Sequence, residues 1–251
     1  MSPLHQSGAS IVATMMAQSL TYDNKTTTLV YTSPDSLIPT YLGIKNVDDP
    51  TRSIMQVVRL IDNNAIRDAD ILDYAVQFSK NAYLLSFGDS TLPERDAVQI
   101  VQHVYKRVPT DVCIVDSSDD IDSPITEKLL ESTDCVFVVI TPNHKDFAYL
   151  KYWLTETSLK TRQDVYVVIN HYDPVVDSVR NLARTIGMAA NKVATLQENP
   201  WIRKCTLNQQ LYDIIPKVKG ADPRVVNLMS DFRDFTQIIN SMVLLKARFE
   251  V

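Results

Sequence analysis

The chain has 251 residues, of which 45% are apolar and 22% charged, and its net charge is −5. That length supports a full hydrophobic core, and one large α/β domain is the simplest partition. The acidic balance excludes a global electrostatic pull toward nucleic acid or anionic lipid and leaves only local patches, while no apolar run reaches the length of a bilayer span. With no signal peptide visible, the chain reads as cytoplasmic. Its three cysteines, Cys113, Cys135 and Cys205, are far apart and lack metal-ligand spacing, so they read as free thiols.

The first element is helical. From Gly8 to Leu20, Val12, Met15, Met16, Ser19 and Leu20 share one face, with Ala13 and Ala17 beside them. Thr27 to Tyr31 predicts a strand, and Pro34 to Gly43 a loop or short helix. Asp49-Pro50 signals a helix running through Ile61. Asn81 to Phe87 is a short apolar strand, followed by a helical pattern from Pro93 to Val108. Asp111 to Asp116 is a continuous apolar run that ends in a carboxylate. Asp134 to Thr141 and Val165 to Asn170 are two more runs of that kind, with helices predicted over Asn143 to Leu159 and Asp177 to Ile186. A long helix from about Pro223 to Lys246 closes the chain, with Asp231 and Asp234 on its polar face. Continuous Val/Ile runs alternating with helices predict a mostly parallel sheet covered by helices on both faces.

In such sheets, ligands gather at the carboxyl ends of the strands. Four segments fall there: the turn at Gly8, the stretch from Tyr31 to Asp35, Asp116 and Asn170. The turn has the layout of a phosphate-binding loop, in which glycines admit backbone N–H groups, a lysine supplies charge and a hydroxyl holds Mg²⁺. Here Gly8 and Ser10 are in place, and only five glycines occur in the whole chain. The backbone of Gly8, Ala9, Ser10 and Ile11 at a helix N-terminus forms an anion site. Ser10 either binds Mg²⁺ or caps the helix. Asp116 either holds the metal or its water, caps the following loop, or pairs with Ser10. Asn170 either reads an adenine edge or shapes a turn. His171 beside it reads as a surface residue. Asp119, Asp120 and Asp122 form a solvated acidic loop that lacks the glycine and distal glutamate of a calcium loop. Arg203, Lys204, Lys217 and Lys219 make too small a basic set for DNA binding. Tyr152 and Trp153 are core or interface aromatics.

On these residues the chain resembles the ParA/MinD group of dimeric P-loop ATPases. Gly8 to Ala17 is similar to the loop and first helix of the group, and Leu29 to Ser36 with Thr40 to Ile44 resembles the strand and switch that follow. Asp111 to Ser118 is similar to the second carboxylate motif, Asp134 to Pro142 to the next strand, and Val167 to Pro174 to the strand ending in an adenine-reading asparagine. Ile71 to Val76 and Asn81 to Ser86 are most similar to the TadZ/CpaE branch, which localises pilus-assembly machinery. The resemblance spans nearly the whole chain. It implies ATP or ADP with Mg²⁺ as cofactor, bound through Gly8, Ala9, Ser10, Ile11, Asp116 and Asn170, with Ser10 and Asp116 as metal ligands. It also implies a homodimer, pilus or secretion proteins as partners, and a place at the inner face of the membrane or the cell pole through indirect association.

The departures are equally specific. The two lysines of the group's loop fall on Leu4 and Ala9, and its switch aspartates on Tyr31 and Ser33. The resemblance therefore implies a degenerate loop, weakened or lost nucleotide binding, and a catalytically impaired scaffold. Its alternatives are an active ATPase completed in trans and a partition-type ATPase associated with DNA. Against the group's pattern, residues 1–251 form one domain that lacks an upstream first strand or N-terminal domain.

Overall fold

The computed structural model describes residues 1–3, 7–32, 36–45, 49–87, 104–117, 121, 124–214 and 223–249. The strands are β1 (Thr27–Tyr31), β2 (Val76–Ser79), β3 (Ala82–Leu85), β4 (Val112–Asp116), β5 (Val136–Ile140), β6 (Val165–Tyr172) and β7 (Val193–Gln197). They form a four-stranded sheet in the order β2-β3-β1-β4 and a three-stranded sheet in the order β5-β6-β7. Every pairing is parallel except the β2–β3 hairpin at the edge. The expected mostly parallel α/β architecture is present. Strands β4, β5 and β6 read as near-continuous apolar runs because helices cover both faces, and all five residues of β1, Thr27 and Thr28 included, are buried.

The helices are α1 (Ala9–Tyr22), α2 (Ile38–Tyr41), α3 (Ile54–Asp62), α4 (Pro124–Ser132), α5 (His144–Glu156), α6 (Val179–Ile186), α7 (Pro200–Leu207) and α8 (Pro223–Phe249). Most predicted elements occur within a few residues of their expected bounds. The helix expected from Asp49 begins later, at Ile54, because the Ser53 hydroxyl accepts from Gln56 N and fixes the start there. Of the segment expected to be helical from Pro93 to Val108, residues 93–103 lie outside the described residues, and Val104 to Arg107 is a turn.

Helix α1 sets the geometry of everything around it. It packs on β1, β3 and β4 of one sheet, on β5 of the other, and on α8. Every residue from Val12 to Leu20 is buried. The small side of the helix, Ala13 and Ala17, joins the core around β1 and α3, while Val12, Met15, Met16 and Leu20 join Leu228, Phe232 and Phe235 of α8. The pattern predicted a one-faced helix; α1 is buried all round because α8 covers the side that would otherwise meet solvent. A third core cluster, with Leu150, Trp153, Val167 and Ile169, lies beneath α5 and α6. Trp153 is thus a core residue, whereas Tyr152 beside it is exposed. Asp231, expected on the polar face of α8, is instead buried and accepts a hydrogen bond from Gln197 N at the end of β7.

Candidate functional site

The turn before α1 is built around a left-handed residue. Gly8 has φ +85° and ψ 23° and is the N-cap of the helix. A β-carbon there would collide with the side-chain nitrogen of Asn170, so both the backbone conformation and the close approach require glycine. That approach is used: Asn170 Nδ2 donates to Ser7 O at 2.8 Å, and both residues are buried. Ser7 also hydrogen-bonds Ser2 through their hydroxyls. A clasp from the end of β6 therefore holds the turn from behind. Strand β6 has a register shift between Asn170 and Tyr172, with His171 in the left-handed region at φ +55°. Such an irregularity re-aims side chains at a sheet end, and it leaves Asn170 and Tyr172 buried with His171 exposed between them. The His171 ring contacts the Glu198 carboxylate at the surface, as expected for a residue outside the site.

The first backbone bond of α1 runs from Val12 N to Gly8 O at 2.9 Å. The N–H groups of Ala9, Ser10 and Ile11 precede it and have no partner within the helix, which makes this end attractive to anions. No side chain caps the helix. The Ser10 hydroxyl, expected either to cap or to bind metal, donates to Asp116 Oδ2 at 2.6 Å. Asp116 sits at the carboxyl end of β4, directly opposite Tyr31 of β1, and its own carbonyl accepts from Thr32 N at 3.0 Å. It is 4% exposed. Burial raises its carboxyl pKa above the ordinary range, and the Ser10 hydroxyl pulls in the opposite direction.

Gly8, Ala9, Ser10, Ile11, Asp116 and Asn170 thus meet at one rim, held by two side-chain hydrogen bonds from opposite sides. The Ser10 and Asp116 oxygens suit Mg²⁺, which takes oxygen ligands and retains several waters. Among the described residues no cluster of three or more His, Cys, Asp or Glu side chains is arranged to hold a metal. Ala9, at a position where a phosphate site carries its lysine, is half-buried and brings no charge. Tyr31, at a switch position, is buried and packs edge-on against Phe87 at 5.8 Å. Leu4, Ser33, Asp119, Asp120, Asp122, Lys217 and Lys219 lie outside the described residues. Ser7 was missed in the sequence because its carbonyl is what accepts from Asn170, and a main-chain acceptor leaves no side-chain signature. Tyr41 is another neighbour: burial, with a further contribution from the Asp116 charge, raises its hydroxyl pKa.

No protein-family model matches the sequence, and a search of curated proteins gives no match. Solved structures do match. The fold is similar to a ParA family ATPase from Chlorobium tepidum, with TM-score 0.72, 16% identity, and coverage of 94% of this chain and 96% of that one. It is also similar to the septum site-determining protein MinD of Pyrococcus horikoshii in complex with Mg-ADP, with TM-score 0.69, 12% identity, and 94% and 92% coverage. The MinC:MinD complex of Aquifex aeolicus matches with TM-score 0.69, 14% identity, and 93% and 92% coverage. The chain has the ParA/MinD-type P-loop NTPase fold. No helix among the described residues is long and apolar enough to cross a membrane.

Proposed function

We propose that the chain is a ParA/MinD-like protein that works as a scaffold and turns over ATP poorly. The observation that carries this reading is a division within the rim. The Gly8 turn, the open first-turn N–H groups of α1 and the Ser10–Asp116 pair are present, while the loop position expected to be cationic is Ala9. Backbone N–H groups of Ala9 to Ile11 would hold a phosphate, and the Ser10 and Asp116 oxygens would hold Mg²⁺ beside it. A bound Mg²⁺ would neutralise phosphate charge. For the ion to enter, Ser10 must release its hydrogen from Asp116, and Asp116 must be ionised. Its raised pKa works against that step, so metal binding tightens as pH rises.

Phosphoryl transfer depends on positioning and electrostatic stabilisation, and one lost donor lowers rate by roughly 10²–10³. Without the loop cation, the rim favours binding over turnover. The P. horikoshii and A. aeolicus structures, one with Mg-ADP and one with MinC, support nucleotide and partner binding as the general use of such a fold. On this reading the chain is a homodimer that positions a pilus or secretion apparatus, in the manner of the TadZ/CpaE branch that its Ile71–Val76 and Asn81–Ser86 segments resemble.

The test is calorimetry with ATP, with and without Mg²⁺, alongside an assay for released phosphate. The expected result is weak, Mg²⁺-assisted binding with no steady hydrolysis, and stronger binding in Ala9→Lys. Steady Mg²⁺-dependent hydrolysis by the unmodified chain, abolished in Asp116→Ala, would overturn the proposal and favour an active ATPase.

A further inference from the structure

Helix α5 divides its residues between core and solvent. Asp146, Leu150 and Trp153 recur at helical spacing and are buried. One position earlier in each turn stand Lys145, Tyr149 and Tyr152, followed by Glu156, and all four are exposed. Residues three and four apart are neighbours on a helix surface, so these four form one stripe along it. Tyr149 is 47% and Tyr152 49% exposed. Tyrosine is a side chain that interfaces favour, because its ring is apolar while its hydroxyl tolerates water.

Opposite charges end the stripe. Lys145 and Glu156 lie roughly 16 Å apart along the axis, at about 1.5 Å per residue, too far to pair on one helix. Neither has an ion-pair partner among the described residues. From N to C the stripe runs cation, tyrosine, tyrosine, anion, so its reverse carries the complementary charges. Laid antiparallel on a copy of itself, about a two-fold axis between Tyr149 and Tyr152, it sets Lys145 opposite Glu156 of the second copy at both ends. It also sets Tyr149 opposite Tyr152 of the second copy, twice. A parallel arrangement would set lysine against lysine and glutamate against glutamate, so the charges select the antiparallel one. A surface that complements itself about a two-fold axis is what a symmetric pair requires.

We propose that the exposed stripe of α5 is a self-association surface, on which a second copy of this chain packs its own α5 antiparallel. Ala148 and Thr155 adjoin the tyrosines, are exposed, and are small enough to let two helices approach to the usual spacing of about 8–10 Å. One helix stripe covers less than the ~800 Å² per partner of a standard interface, so the contact is weak and reversible. It is separate from any pairing through the rim and rests on neither nucleotide nor the scaffold reading. Helix α5 follows the carboxyl end of β5 and returns to the start of the parallel strand β6. Antiparallel pairing therefore points the two rims in opposite directions and leaves both open.

Sedimentation velocity without nucleotide, from ~10 µM to ~1 mM protein, tests the proposal on charge variants. The unmodified chain should self-associate as its concentration rises. Lys145→Glu and Glu156→Lys each set like charges at both ends of the pair and should weaken association at least ~10-fold. The two single variants mixed together should associate as the unmodified chain does, because each supplies the charge that the other lacks. The double variant Lys145→Glu with Glu156→Lys should do the same. Replacing both tyrosines, Tyr149→Ser with Tyr152→Ser, should abolish association with the charges intact, and Asp116→Ala should leave it unchanged. The proposal is overturned if the unmodified chain is monomeric at ~1 mM. It is equally overturned if the single variants or the tyrosine variant associate as well as the unmodified chain, or if neither the mixture nor the double variant recovers association. Loss of association in Asp116→Ala would move the contact to the rim and overturn it as well.

Discussion

Two buried aspartates teach different lessons about the same physics. Asp116 at the end of β4 and Asp231 on α8 are 4% and 3% exposed, and burial raises the pKa of both. Their partners separate them. Asp231 accepts a backbone N–H from Gln197, a fixed donor that anchors α8 to the end of β7. Asp116 accepts a hydroxyl from Ser10, a donor that can rotate away and let its oxygen serve a cation. The first arrangement is a tether and the second is exchangeable. Burial and a shifted pKa do not distinguish structure from function; the replaceability of the hydrogen-bond partner does.

The largest expected effect tests the tether. Burial, ahead of the neighbouring Asp234 charge, pushes the Asp231 pKa from 3.8 to about 7. The folded state therefore favours the neutral acid. Its cost to stability is absent below the unfolded value, grows as pH rises between 3.8 and about 7, and is constant above that. Asp231→Asn, which stays neutral and can still accept from Gln197 N, should stabilise the protein at about pH 8 by on the order of 4 kcal/mol, at ~1.4 kcal/mol per pKa unit. It should do little near about pH 3.5. Denaturant melts at the two pH values check this, and an equal gain at both would remove the titration argument. Mg²⁺ and ATP binding should be unchanged.

A smaller effect tests the exchangeable site through its support. Gly8→Ala places a side chain at φ +85° against Asn170, which should destabilise by about 2 kcal/mol and part Ser10 from Asp116. Thermal melts and Mg²⁺-dependent ATP binding should both fall, while the pH dependence attributed to Asp231 persists. The smallest effect belongs to Asn170→Ala. Loss of the bond to Ser7 O should cost about 1 kcal/mol and weaken nucleotide binding by loosening the turn. If Asn170→Ala changes stability without touching nucleotide affinity, the clasp is structural and the two aspartates are more alike than described.

The fold was legible where burial on both faces imposed a simple pattern. Strands β4, β5 and β6 are near-continuous apolar runs, and the ends of β4 and β6 place Asp116 and Asn170 on the rim. Four elements were not read, one of them helix α4, Pro124–Ser132. The run Val193 to Gln197 carries Thr195 and a closing Gln, so it lacks the apolar continuity of its neighbours. The hairpin strand Val76 to Ser79 lies at an edge, where only one side needs pairing and residues are half-buried. Helix α7 is announced by Asn199 as N-cap and Pro200 in its first turn, a signal present in the sequence and passed over. At the site, Ser10 and Asp116 could be named from their types and positions. The Ser7–Asn170 clasp could not, because it joins a side chain to a carbonyl 163 positions away.

The strand order also carries a consequence for how the chain folds. Strands β5, β6 and β7 are neighbours in space in the order in which they occur along the chain, so their pairing closes modest loops. Strand β1 must find β4 across 85 residues, as in the Thr26–Asp111 contact at their base, and α1 must meet α8 from the far end of the chain. Contacts of long separation cost more chain entropy and form later. The three-stranded sheet is thus the natural nucleus, and α1, the helix that touches both sheets, is placed to act as the late keystone that locks the two halves together.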